Sequence, residues 1–192
     1  MGELGGGNWD GRDFNLNLEL IIKSDYGKVH HKGINRLVVT NDGRYLFTAD
    51  LNGTLKQWGN KKDKLCVSID KAHDGTIWSL VATPCSSFVL TGGEDLRLKL
   101  WGVLGGTLEK DFGPVHYGSI LSIAVTPCGT FAFTGSEDGV LKQWDLEERV
   151  HIIDYDVAEM IGCMAISSTG KYLFSASKEM KFKQWAIVED DY

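Results

Sequence analysis

The sequence predicts an all-β protein assembled from four copies of one repeat. Tryptophans mark the repeat, because Trp58, Trp101, Trp144 and Trp185 follow one another at spacings of 43, 43 and 41 residues. An isoleucine stands 24 residues before each of them, at positions 34, 77, 120 and 161. A repeat of about 40–45 residues is the length of one four-stranded propeller blade. We therefore expect four-stranded antiparallel sheets arranged around an axis as a β-propeller.

Each repeat contains three short apolar runs separated by turn residues, which is the pattern of antiparallel strands. The first run begins at the isoleucine and covers 34–40, 77–83, 120–126 and 161–167. The second is led by an aromatic residue and covers 45–48, 88–91, 131–134 and 172–175. The third ends at the tryptophan and covers 55–58, 98–101, 141–144 and 182–185.

A weaker fourth strand is expected after each of the first three repeats, near 65–69, 107–112 and 150–154. The last repeat leaves little chain for one. Residues 14–21 alternate apolar and polar side chains, as a half-buried strand does. We expect this strand to complete the last blade, with 1–13 as a flexible tail and 14–192 as the propeller. The predicted blades are about 34–70, 77–112, 120–154, and 161–188 with 14–22.

Composition indicates a soluble cytoplasmic protein. The net charge is −6, without the basic surplus of nucleic-acid binders, so no nucleic-acid partner is expected. No apolar run approaches the roughly 20 residues that span a membrane, and the N-terminus lacks the pattern of a signal peptide. The four cysteines form no CxxC pair and are expected to be reduced.

The repeats resemble WD repeats over roughly residues 30–186, most closely in the segment from Thr130 to Asp145. The resemblance implies that a buried tetrad of His, Ser or Thr, Asp and Trp fastens each blade. Two tetrads are complete: His73, Thr91, Asp95 and Trp101 in the second blade, and His116, Thr134, Asp138 and Trp144 in the third. The first has His30, Thr48 and Trp58 but Asn52 for the aspartate; the fourth has Ser175 and Trp185 but Glu179 for the aspartate and Val157 for the histidine. The second and third blades are therefore expected to be the most rigid.

Recurring His, Thr and Asp residues also suggest a hydrolase triad. A catalytic triad is normally unique, however, whereas these sets recur with the repeat, so no catalytic residue is expected. His30 and His31 suggest metal ligands, but no third ligand is evident. We expect neither a metal nor a cofactor. Lysines recur two residues before each repeat tryptophan, and solvated strand positions explain them most simply.

Positions where the repeats differ are the candidates for binding a protein or peptide. The resemblance implies that these positions lie on the top face of the propeller. Trp78 is the leading candidate because tryptophan is enriched among binding hot spots, the alternative being that a neighbouring loop packs over it. Apolar neighbours and an acidic rim would suit a partner with apolar anchors and basic flanks. The other candidates are Asn35, Leu51, Thr76, Glu94, Leu121, Glu137, Met160 and Lys178.

The resemblance implies a ring of seven or eight blades, and four repeats are too few for such a ring. Three alternatives therefore remain. The four blades close alone, two chains associate into an eight-bladed ring, or the chain is part of a longer propeller. The predicted function is a non-catalytic interaction scaffold. The alternatives are an enzyme with a central-channel site and a ubiquitin-ligase substrate receptor; Glu147 stands where such receptors often carry arginine, which argues against the latter.

Overall fold

The computed structural model describes residues 25–59 and 64–188. These residues form only antiparallel sheets, one for each repeat, which confirms the predicted all-β propeller architecture. The predicted strand 14–22 and tail 1–13 lie outside the described residues.

The first blade contains β1 (Ile34–Val39), β2 (Tyr45–Asp50), β3 (Leu55–Gly59) and β4 (Lys64–Ile69). The second contains β5 (Ile77–Ala82), β6 (Phe88–Gly93), β7 (Arg97–Gly102) and β8 (Leu108–Pro114). The third contains β9 (Ile120–Val125), β10 (Phe131–Ser136), β11 (Val140–Asp145) and β12 (Val150–Asp156), and the fourth contains β13 (Ile161–Ile166), β14 (Tyr172–Ser177) and β15 (Phe182–Ala186).

Each blade is a meander, because its strands pair in chain order. The first strand of each blade is the innermost, and these strands pack side by side in the order β1, β5, β9 and β13. Within the described residues, β13 does not pack on β1 as consecutive inner strands pack on each other. The four blades therefore form an open arc around the inner strands, and the described part of the chain does not close alone.

Three apolar cores hold the arc together, one between each pair of consecutive blades. Each core joins the middle strands of one blade to the inner strand and the repeat tryptophan of the next, so that burial of apolar surface fixes the order of the blades. The first core includes Phe47, Leu55, Ile77 and Trp101. The second includes Leu90, Leu98, Ile120 and Trp144, and the third includes Phe133, Leu141, Ile161 and Leu173, with Trp185 packed against it.

One edge of the arc carries the loops that follow the second strand of each blade and the loops that enter each inner strand. Backbone hydrogen bonds join these loops, as from Glu94 N to Thr76 O at 2.9 Å and from Glu137 N to Ser119 O at 3.1 Å. We call this edge the top face. The described residues include no helix long and apolar enough to span a bilayer.

Candidate functional site

Buried hydrogen-bond chains run through the second and third blades. In the second blade the Trp101 indole N–H donates to the Thr91 hydroxyl at 2.8 Å, and Thr91 Oγ1 lies 2.6 Å from His73 Nε2. The other ring nitrogen of His73 lies 2.8 Å from Asp95 Oδ1. The carboxylate can only accept, so Nδ1 carries a proton and donates it to Asp95; Nε2 of the neutral ring then accepts from the threonine hydroxyl. The third blade repeats the chain with Trp144, Thr134, His116 and Asp138.

The first blade has a complete chain, but its aspartate is Asp50 rather than the residue aligned at Asn52. His30 Nδ1 lies 2.9 Å from Asp50 Oδ2, while Nε2 lies 2.7 Å from the Thr48 hydroxyl that accepts from Trp58. Asp50 Oδ1 also accepts from the backbone N–H groups of Asn52 and Thr54. The expectation that the first blade lacks its carboxylate was therefore wrong.

The neighbouring repeat shows why position 50 can supply the carboxylate. The equivalent residue of the second blade is Gly93, and a Cβ placed there would run into both His73 Nδ1 and Asp95 Oδ1. A side chain at this strand end thus points directly at the histidine. In the first blade Asp50 itself occupies that space, two positions earlier in the repeat than Asp95, which aligns with Asn52.

The fourth blade retains only the inner part of the chain. Trp185 N–H donates to the Ser175 hydroxyl at 2.9 Å, but the histidine position is taken by Val157, which is buried in the third core. Glu179 is exposed and has no part in the network. Instead, an exposed ion pair between Lys181 and Glu159, at 2.6 Å, joins the loop before β15 to the loop before β13. Exposed pairs contribute little stability, so we expect this blade to be the least rigid.

Hydrogen bonding outweighs burial at the tetrad carboxylates. Burial raises the pKa of Asp95, but the hydrogen bond and charge of His73 lower it further, so the pKa lies below its usual value. Burial also raises the pKa of Asp50 and of Asp138, but backbone N–H groups, first those of Thr54 and Val140, and the paired histidines lower it further. Burial lowers the pKa of His116, because desolvation of the imidazolium outweighs the attraction of Asp138. At neutral pH the third-blade chain therefore holds a neutral histidine and a charged aspartate.

Stability should fall on acidification in two stages. Because the pKa of His116 is lowered in the folded chain, the unfolded chain binds a proton at His116 more readily below about pH 6.5. Stability therefore falls as the pH drops below that value. The three aspartates contribute stability above their unfolded pKa of about 3.9, and it is lost as the pH falls through their lower folded values. Urea midpoints measured from neutral to acidic pH test this expectation. A midpoint that stays constant down to about pH 4 would contradict the first stage.

The recurring lysines, interpreted from sequence as solvated, bind the tetrad loops in three blades. The ammonium groups of Lys56, Lys99 and Lys183 donate to the carbonyls of Val29, Ala72 and Val157, at 2.7, 2.6 and 3.0 Å. In the first two blades the acceptor immediately precedes the tetrad histidine. The fourth lysine, Lys142, instead pairs with Asp154. Three of the four lysines therefore tie the third strand of a blade to the loop on its top face.

These networks occupy the groups that a triad or metal site would need. Both ring nitrogens of His30, His73 and His116 are hydrogen-bonded within their blades. In the described part of the chain no group of three or more His, Cys, Asp or Glu side chains is placed to hold a metal ion. The four cysteines, all described, are free and exposed.

The leading candidate, Trp78, lies on a β-bulge at the top of an inner strand. The pairing of β5 with β6 skips from Ile77 to Ser79 and leaves the residue between them unpaired. The equivalent residues Asn35, Leu121 and Gly162 are bulged in the same way. Bulges redirect a side chain out of the regular alternation of a strand. Accordingly, Trp78 and Leu121 are half-buried but belong to none of the three cores.

The bulged positions of the first two blades are in contact. The Asn35 side-chain amide donates to Ile77 O at 2.9 Å, which is the carbonyl of the peptide bond entering Trp78. Asn35 therefore bridges two blades beside the candidate tryptophan. No hydrogen-bond acceptor pairs with the Trp78 indole N–H within residues 25–59 and 64–188.

The predicted rim residues lie on the top face, but they differ in how free they are. Leu51 is exposed, and its carbonyl accepts from the buried hydroxyl of Thr76 in the next blade. Glu94 Oε2 accepts from Thr76 N at 3.0 Å, and Glu137 Oε2 accepts from Ser119 N at 3.3 Å. Thr76 is thus a structural bridge more than a contact residue. Met160 is half-buried and Lys178 exposed.

Sequence reasoning missed the most exposed aromatic side chain of the top face. Tyr117 is 97% exposed and directly follows the tetrad histidine of the third blade, with its N–H bound to Asp138. The next residue, Gly118, packs on Glu137. The signal was present in the repeat, because the equivalent positions carry His31, Asp74 and Ala158 and none of them is a large aromatic.

Comparison with known families agrees with this geometry. The family described as WD domain, G-beta repeat, matches residues 25–59, 64–102 and 107–145, which is more than half of the chain. The chain belongs to the WD40 family. The matched ranges cover β1 to β11 of this WD40 chain and stop before β12 and the fourth blade, whose tetrad is incomplete.

Structural comparison gives the same fold for the WD40 chain. A solved structure titled "Structure of U3-55K" matches it with a TM-score of 0.75 and 16% sequence identity, over 83% of this chain and 50% of that one. The likeness at this identity concerns the fold, and the WD40 chain spans half the length of that structure. A search of curated proteins gives no significant match.

Proposed function

We propose that this WD40 chain is a non-catalytic scaffold that binds a protein or peptide at the inner rim of its top face. WD40 propellers generally act as protein-interaction scaffolds. The observation that supports this location is the bulge at Trp78. It places a large aromatic side chain on the inner strand, outside the blade cores, with an indole N–H that has no acceptor among the described residues.

The neighbouring residues define the chemistry of the proposed partner. Leu121 offers an apolar side chain at the same bulge of the next blade, and Tyr117 stands fully exposed nearby in the chain. Glu94 and Glu137 are exposed on the loops of the same face. A segment with a large apolar anchor and flanking lysine or arginine residues fits this combination, because charged flanks speed association and give specificity while the anchor supplies affinity.

The tetrads argue against the enzymatic alternative. Their histidines and aspartates are engaged with one another and with threonine inside the blades, and they repeat in three blades. A catalytic site at the central channel would need acids or bases that break this repetition, and the bulge positions offer asparagine, tryptophan, leucine and glycine.

Replacing Trp78 by alanine should weaken binding of a selected peptide by about 30-fold, which is the loss of a typical hot spot of about 2 kcal/mol. The peptides would be selected from a random library on the immobilised chain, and their affinities measured by calorimetry. We expect the selected sequences to carry a large apolar residue beside basic ones. Leu104→Ala is the matched control, because Leu104 is exposed in the loop between β7 and β8 on the opposite edge.

The charge of the rim can be tested without disturbing its structure. Glu94→Gln keeps an acceptor for Thr76 N but removes the negative charge. Binding of the selected peptides to this variant should be weaker and less sensitive to salt than binding to the parent chain. Peptides that bind Trp78→Ala and Leu121→Ala as tightly as the parent chain would contradict the proposed site.

A further inference from the structure

In the described part of the chain, the arc of four blades leaves one blade face without a neighbouring blade at each end. We call the side that carries the tetrad tryptophan the leading face, because Trp101 and Trp144 each pack against the preceding blade. The opposite side is the trailing face. Within the described residues, three cores join four blades, so no blade packs on the trailing face of the fourth or on the leading face of the first, where Tyr26 contacts Trp58.

The internal interfaces share one steric feature. The isoleucine that begins each inner strand packs onto a small residue in the second strand of the preceding blade. A Cβ added to Gly92 would run into Ile120, and one added to Gly135 would run into Ile161. At the first interface Ile77 shares its core with Ala49, the residue equivalent to these glycines. All three isoleucines are almost completely buried.

The two end faces carry the separate halves of this interface. On the leading face of the first blade Ile34 is 48% exposed and Leu37 is 66% exposed, although their equivalents in the other blades are buried or packed in cores. On the trailing face of the fourth blade Phe182 is 76% exposed, where Leu55, Leu98 and Leu141 are at most 1% exposed. Ala176 lies half-exposed at the position of Ala49 and Gly92. An isoleucine without a receiving site thus stands at one end, and a small residue without an isoleucine at the other.

A hydrogen bond of the internal interfaces is also half-formed at the end. The hydroxyls of Ser79 and Ser122 accept from the backbone N–H of Ile123 and Met164 in the next blade, both at 2.9 Å. The equivalent residue of the fourth blade is Cys163, which is exposed. Its thiol can accept weakly from an N–H at the position of Leu37.

We propose that a second copy of this chain covers both end faces, so that two chains join head to tail into a closed eight-bladed ring. The leading face of each copy would pack on the trailing face of the other, with Ile34 of one copy against Ala176 of its partner. A head-to-tail contact that closes removes both exposed faces at once, and eight blades lie within the range that propellers adopt. A single added strand would cover neither face in this way, because each internal interface combines an inner strand with the middle strands of a whole blade.

The test is the mass of the purified 192-residue chain by sedimentation equilibrium over a dilution series. We expect a dimer, with twice the chain mass of 21.2 kDa. Ile34→Asp and Phe182→Asp should each give monomers, since both side chains are exposed in a single chain and their replacement leaves its three cores intact. Leu104→Asp, at a residue more exposed than either of these but away from both end faces, should remain dimeric. Circular dichroism establishes that every variant is folded.

Mixing the two monomeric variants distinguishes head-to-tail contact from other modes. Ile34→Asp keeps an intact trailing face and Phe182→Asp an intact leading face, so the mixture should form a heterodimer with one native interface. A monomeric parent chain would overturn the proposal and assign the end faces to another occupant. So would dimers that survive both substitutions, or a mixture that stays monomeric.

Discussion

Replacement of Trp101 or Trp144 by alanine is expected to lower the free energy of unfolding by about 3–5 kcal/mol, the range for a buried aromatic side chain. Trp101 fills the first core and Trp144 the second, and both are almost completely buried. The substitution leaves a cavity between two blades and removes the donor to Thr91 or Thr134. Urea unfolding followed by far-ultraviolet circular dichroism measures the loss without depending on tryptophan fluorescence.

Two further variants separate packing from hydrogen bonding. Trp101→Phe retains much of the ring but removes the N–H, and should cost about 1–3 kcal/mol. Trp185→Ala should cost less than Trp101→Ala, because Trp185 is only half-buried and its chain stops at Ser175. Unchanged midpoints for Trp101→Ala and Trp144→Ala would contradict the assignment of these residues as fasteners of the blades.

Asp50→Ala should destabilise the protein by about 3–5 kcal/mol, as expected when one partner of a buried pair is removed. The substitution leaves His30 Nδ1 buried without its hydrogen-bond partner and removes the acceptor of two backbone N–H groups. Asn52→Ala is the matched control. It removes only an exposed side chain and preserves the backbone N–H that binds Asp50, so the change should stay within about 0.5 kcal/mol.

The pair of variants decides between two assignments of the first tetrad. Alignment of the repeats by position puts the carboxylate's place at Asn52, whereas the structure puts it at Asp50. If Asn52→Ala were the more damaging variant, the structural assignment would be wrong. Asp50→Asn should fall between the two, because an amide oxygen still accepts from His30 but carries no charge.

Periodicity predicted most of the fold, because a repeat constrains every copy at once. The three strong strands of each repeat appear within one or two residues of the expected ranges, and so do the weaker strands β4, β8 and β12. The difference at Asp50 has a physical cause. Two positions two residues apart in the chain can direct a carboxylate to the same histidine, and only the spatial contact at Gly93 reveals this. The same applies to the lysines, whose acceptors lie 26 or 27 residues away in the chain.

The candidate site was predicted in part. Disagreement among repeats led to Trp78 and Leu121, and the bulges give a reason why these side chains leave the cores. The comparison of repeats could not distinguish a rim residue from a structural bridge such as Thr76, because that difference depends on a hydrogen bond between two blades. Tyr117 was overlooked although the repeat comparison contained it. The proposed closure of the ring rests on surfaces at the two ends of the arc, and periodicity treats these like any other blade face.

Hydrogen exchange of the tryptophan indole N–H groups, followed by NMR on the purified chain, tests the central claim most directly. The claim is that the repeat tryptophans fasten the blades while Trp78 is free to bind. We expect strong protection for Trp58, Trp101 and Trp144, weaker protection for Trp185, and rapid exchange for Trp78, with signals assigned from single Trp→Phe variants. Protection of Trp78 equal to that of Trp101, or rapid exchange at Trp101 and Trp144, would contradict the account.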